Sequence, residues 1–192
     1  MHAGPLGRPR WEVVEDASRD VLVALYLRDA LGIVDPSGLP RMLGTGLPEV
    51  DPPEPSIAFA WTRWWIPLIE PDARSWGLPE GDEAGTDAFS AAVRRHLDSA
   101  RAWAMVAHEQ HNGSSIARMQ RAPDVTIQEL VHEQEVALGR ASRPFRLRIE
   151  VLPLAASGIW WIGEDVIAVD EATRDEPILY RDALAPIVAA LV

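Results

Sequence analysis

The chain contains no cysteine, which excludes disulfides, thiol nucleophiles, thiolate zinc sites and cysteine-held iron–sulfur clusters. Lysine is missing as well: all 18 basic side chains are arginine. Without lysine there is no Schiff base to pyridoxal phosphate, no phosphate-loop lysine and no kinase-type lysine. Positive charge is in deficit, 29 acidic residues giving a net charge of −11, so the chain has no general attraction for nucleic-acid phosphates or anionic lipid. The densest basic stretch, Arg143 with Arg146 and Arg148, is short. Long apolar runs are missing too. No stretch reaches the roughly 18 to 20 apolar residues that would span a bilayer, and the opening MHAGPLGRPRWEVVED lacks the apolar core of a secretory signal. The expectation is a cytoplasmic protein with no nucleic-acid and no membrane partner.

What is present describes a folded protein. Hydrophobic residues make up 47% of the sequence and charged residues 24%, and 192 residues suffice for one substantial core, so a single domain over 1–192 is expected. In DVLVALYLRDAL, Val21, Ala24, Leu25 and Leu31 recur at helical spacing after a cap at Asp16 or Ser18, and Gly32 is the stop. From 33 to 56 the chain carries Pro36, Gly38, Pro40, Gly44, Gly46, Pro48, Pro52, Pro53 and Pro55, a density that forbids long regular structure. This stretch reads as an extended connector crossing the surface. Ile57, Trp61, Trp64 and Leu68 predict a short helix capped by Ser56 and limited by Pro67. LPEGDEAGT (78–86) is a loop whose Thr86 caps the next helix.

The longest helical pattern, DAFSAAVRRHLDSARAWAMVAHEQH, is expected to stop at Asn112–Gly113. Thr126 and Glu129 have the T-x-x-E spacing of a capping box, opening a helix that Gly139 ends. Beyond it, PFRLRIEVLP alternates, with Phe145, Leu147, Ile149 and Val151 opposite Arg146, Arg148 and Glu150, the mark of a half-buried strand. GIWWIGEDVIAVDEA reads as a hairpin turning at Gly163, Glu164 and Asp165. Asp175 and Pro177 start a closing helix through Leu179, Ala183, Ile187 and Leu191, which Pro186 should bend. The fold class expected is α+β: N-terminal helices and a Pro-rich connector packed with a C-terminal three-stranded antiparallel meander and a closing helix.

Two stretches raise the question of chemistry, HEQHNG at 108–113 and ELVHEQE at 129–135. Residues three or four apart share a helix face, so His108 with His111 and Glu129 with His132 could supply four N/O ligands to a divalent transition metal if their helices pack together. That arrangement would serve a metal-dependent hydrolase through a metal-bound water. The competing reading leaves His108 and His111 in the last turn of a helix, favoured by its negative dipole end, and employs Glu129 in the capping box. An acidic run, Asp165, Asp170, Glu171, Asp175 and Glu176, could hold Mg²⁺ or Ca²⁺, though such runs also cap helices. Ser157 and Ser114–Ser115 have no partnered base in the pattern. No GxGxxG, GxSxG, HExxH or EF-hand motif is present.

Tryptophan is the surplus: Trp11, Trp61, Trp64, Trp65, Trp76, Trp103, Trp160 and Trp161 are eight of thirteen aromatic residues. Adjacent indoles point to opposite faces of a strand or about 100° apart on a helix, so both members of a WW pair do not easily enter one core. The leading expectation is a binding or assembly protein without catalysis or cofactor, using Trp61, Trp64, Trp65, Trp160 and Trp161 to hold a protein partner or a second copy of itself. The metal-dependent hydrolase is the alternative.

Overall fold

A computed structural model describes residues 11–34, 37–70, 87–121 and 124–192. Pro36, Trp76 and the 78–86 loop with its Thr86 cap lie outside the described residues. The chain runs β1 (Trp11–Asp16), α1 (Arg19–Ala30), α2 (Pro55–Ile69), α3 (Asp87–Arg121), α4 (Thr126–Leu138), β2 (Phe145–Leu152), β3 (Ile159–Gly163), β4 (Val166–Asp170), α5 (Glu171–Asp175) and α6 (Pro177–Leu191).

The sheet is a mixed one of four strands in the order β1-β2-β4-β3, not the expected antiparallel meander. WEVVED forms an unanticipated first strand, parallel to β2, and β2 is parallel to β4. Only β3 and β4 form the expected hairpin. Burial explains the order. All five residues of VIAVD are buried, so β4 needs cover on both faces and takes a central place, whereas β3 carries an exposed indole and takes the edge. The chain therefore leaves β2 for the edge and returns to insert β4 between them.

Helices lie on both sheet faces. Ala17, Leu152, Val166 and Ala168 belong to the core formed with α1, α2 and α3. Leu147, Ile149, Val151, Ile167 and Val169 belong to a second core formed with α4 and α6. The sheet separates the two layers. Residues 21 to 29 of α1 are all buried, an arrangement suited to a helix enclosed by others, and α3 and α2 flank it.

Several element ends differ from expectation for identifiable reasons. Helix α3 continues through Asn112–Gly113 to Arg121. Gly113 is not in the left-handed conformation, and the extra turns are anchored by Arg118, which pairs with Glu15 and Asp175. A mid-helix glycine costs only about 1 kcal/mol, which such contacts offset. Thr126 is the first helical residue of α4, not its cap; the Asp124 carboxylate accepts from its N–H, and Glu129 pairs with Arg181. No capping box forms. Helix α2 starts at Pro55 beyond a Glu54 cap and runs past Pro67. Asp170 caps the short α5, accepting from the Thr173 N–H, and α6 begins separately at Pro177.

The connector is tied down by two neighbouring residues of α1. Arg28 donates to the carbonyls of Leu39 (3.0 Å) and Pro40 (2.6 Å), and Asp29 accepts from the Met42 N–H at 2.6 Å. Met42 then bridges to Leu154, so the connector reaches the chain just beyond β2. No helix among the described residues is long and apolar enough to cross a membrane.

Candidate functional site

The carboxyl ends of the parallel strands β1, β2 and β4 gather most of the buried ionisable groups. In open sheets with helices on both faces this end is where ligands bind, because side chains and helix termini converge there. Alternation along β1 sends Glu15 and Asp16 to opposite faces. Asp16 is the register partner of Glu150 on β2 and shares its face with α3, while Glu15 joins the α6 side.

On the α6 side, Glu15 accepts from Arg174 at 2.7 Å and from Arg118 and the Tyr180 hydroxyl at 3.3 Å each. Arg174 also reaches Asp124 and lies over the Tyr180 ring, 4.3 Å from its centroid. Burial, with Glu15 close by, raises the Tyr180 phenol above its ordinary range and keeps it protonated. The Arg174 guanidinium is held in its charged form by Tyr180, Glu15 and Asp124 against the opposing effect of burial.

On the α3 side, Glu150 is fully buried; its Oε2 accepts from the Ser18 N–H at 2.9 Å. Its Oε1 lies 3.3 Å from Arg148 Nε without hydrogen-bonding alignment, so neither atom has a bond. Burial pushes the carboxyl up to about 7. His111 is 4% exposed with Nδ1 unpartnered, and burial followed by the Arg118 charge depresses its basicity. The His108 ring nitrogen Nδ1 meets the Ala17 carbonyl at 2.8 Å. These groups can store or exchange a proton, and none is arranged as a nucleophile with its base.

The four residues considered as metal ligands are not brought together. His108 and His111 stand mid-helix on α3 in one layer; Glu129 and His132 stand on α4, in the layer across the sheet, both exposed to solvent. Among the described residues no group of three His, Asp or Glu side chains is placed to hold a metal ion. The helix-ending reading of the histidines fails equally, since α3 runs ten residues past His111. His111 is a core residue. Of the acidic run, Asp170 is occupied as a cap and by the Gly158 N–H, and Asp175 by Arg118.

The tryptophans divide between core and surface. Trp61 and Trp65 are buried and stacked 5.3 Å apart, and Trp61 donates to the Ala24 carbonyl at 3.0 Å. Trp64 and Trp160 are half-buried against the same core. Trp161 alone of the five candidates is exposed, at 43%. The residues that sequence reasoning passed over are Glu15, Asp16, Arg118, Asp124, Arg174 and Tyr180. Their only signal was indirect: an acidic pair, Glu15–Asp16, at the end of a short alternating segment. Comparison of the chain with protein-family models, curated proteins and solved structures finds no match.

Proposed function

We propose that this protein is a non-catalytic assembly protein that binds a second copy of itself through the edge strand β3. The observation that carries this reading is Trp161, exposed on an edge strand whose sequence, IWWIG, holds neither charge nor proline. Edge strands offer unpaired backbone groups, and chains that stay single guard them with charge, proline or a covering segment. The opposite edge is guarded, since β1 carries Glu12, Glu15 and Asp16 and Glu12 pairs with Arg146.

The strand is self-complementary. Antiparallel pairing centred on Trp160 would set Ile159 of one copy against Trp161 of the other on the same sheet face, an aromatic with a β-branched partner. Two copies would then share one eight-stranded sheet with an isologous interface. The net charge of −11 opposes approach, so association of this kind is strengthened by salt. Sedimentation velocity across a concentration and salt series tests it. A dimer that tightens with salt and is lost in Trp161→Arg supports the reading; a monomer throughout, or a dimer indifferent to Trp161→Arg, overturns it.

A further inference from the structure

We infer that the last turns of α3 are an arm released by acid, hinged at residues 112 to 115 and controlled by protonation of His111. The device lies at the carboxyl end of β1 and is independent of the β3 edge. Its hinge is Asn112–Gly113–Ser114–Ser115, inside a helix of 35 residues. Asparagine and serine have only modest helix propensity and glycine less still, and a Cβ on Gly113 would meet nothing within 4 Å, so no close packing requires the glycine there. His111 is also the last buried residue of α3; none of residues 112 to 121 is buried. Beyond the hinge the arm is therefore held by charge and not by a core: Ile116 and Met119 are exposed, while Arg118 pairs with Glu15 of β1 at 3.3 Å and Asp175 of α5 at 2.7 Å.

The trigger sits on the same helix face as that tie. His111 and Arg118 are seven residues apart, two turns along one face. From α3 itself the imidazole is faced by Arg118 and His108, and from β1 by Glu15 and Asp16. Glu15 already accepts from Arg118, Arg174 and Tyr180, and Asp16 from the Ala17 N–H, while His111 Nδ1 has no partner. On α5, Glu171 and Asp175 face Arg118. Burial and then the Arg118 charge disfavour a protonated imidazole while the helix is closed. Opening the arm admits water to His111 and carries Arg118 away, so the open form binds the proton more tightly. By linkage, opening grows as pH falls through the ordinary imidazole value of 6.5, and it frees Glu15 and Asp175 from Arg118.

Hydrogen exchange of the α3 amides in the whole chain, corrected for intrinsic rates, tests this between about pH 8 and pH 5.5, above the ordinary carboxylate range. At the upper pH, amides 116 to 121 are expected to be less protected than amides 100 to 107. On acidification their protection should fall by up to about tenfold, a fall that amides 100 to 107 do not follow. His111→Gln should abolish the pH dependence, and Glu171→Gln, which removes the other titrating neighbour of Arg118, should retain it. Gly113→Ala, at an exposed position, should raise the protection of 116 to 121 about fivefold at both ends of the range, a readout that does not require the His111 variant to fold. Equal protection along α3, or an arm unaffected by Gly113→Ala, overturns the inference. So does a pH dependence that persists in His111→Gln or vanishes in Glu171→Gln.

Discussion

Asp16 and Glu150 are register partners on adjacent parallel strands, two carboxyls side by side between the sheet and α3. The second is fully buried and its pKa is raised to about 7, by burial first and by Asp16 in addition, with the Ser18 N–H and Arg148 opposing. A carboxyl raised in the folded state favours folding below its unfolded pKa, near 4.5, and loses that contribution as pH climbs through about 7. The protein is therefore expected to lose stability between these values, by an amount on the order of 3 kcal/mol if Glu150 acted alone. Glu150→Gln keeps an acceptor for the Ser18 N–H and cannot ionise. Urea unfolding at a series of pH values should show the variant more stable than the parent at pH 8 and similar to it at pH 4.

His111 imposes the opposite slope. Burial and Arg118 lower its pKa, Glu15 and Asp16 partly compensate, and His108 adds to the lowering. A base depressed in the folded state contributes stability above its unfolded pKa of 6.5 that is lost as pH falls through the folded value. In the Glu150→Gln background this limb stands uncovered, so stability should decline on acidification below neutral pH. An NMR titration should find the His111 imidazole protonating below the ordinary histidine range; titration at or above that range would show that its burial does not persist in solution.

The buried pair Arg28–Asp29, 2.7 Å apart with each side chain 2% exposed, predicts how the Pro-rich connector responds to mutation. Removing one partner leaves the other charge buried and also frees connector backbone, so Arg28→Met or Asp29→Asn should cost about 3 to 5 kcal/mol. The double variant Arg28→Met with Asp29→Leu should recover part of the loss, because an apolar pair buries no charge. Limited proteolysis should cut both single variants faster between 37 and 54 than the parent. Equal resistance would mean that the connector is held by its other contacts.

These relationships show where sequence reasoning reached and where it stopped. Local signals were readable: α1 from its spacing, the end of α4 from Gly139 in the left-handed conformation, the β3–β4 hairpin from its turn. The sheet order was not, because parallel pairing joins segments as distant as Trp11 and Phe145, and nothing local in WEVVED announces its partner. The alternation in β2 marks a half-buried strand, yet its polar face is not wholly a solvent face. With α3 above it, Glu150 on that face is buried while Arg146, near the other end of the strand, is exposed. Asn112–Gly113 misled for a similar reason: the contacts that hold the last turns of α3, Arg118 with Glu15 and Asp175, come from residues 103 and 57 positions away. Of the WW pairs, the β3 pair does send one indole inward and the other to the surface. The α2 pair is largely absorbed, Trp65 buried and Trp64 half-buried.

Two glycines of the connector region separate backbone strain from close approach. Gly32 and Gly38 have nearly equal φ values, +65° and +68°, so alanine pays a similar left-handed penalty of about 1 kcal/mol at either position. Their surroundings differ. A Cβ on Gly32 would lie 2.7 Å from the Asp51 carbonyl oxygen, which must shift, whereas a Cβ on Gly38 meets nothing within 4 Å. Gly32→Ala is therefore expected to lose about 1 to 3 kcal/mol more than Gly38→Ala. Equilibrium unfolding of the two variants measures the difference directly. Because the neighbouring atoms belong to the returning end of the connector, a gap of this size would report that residues 50 and 51 lie against the end of α1 in solution, closing the loop that Arg28 and Asp29 pin from the other side.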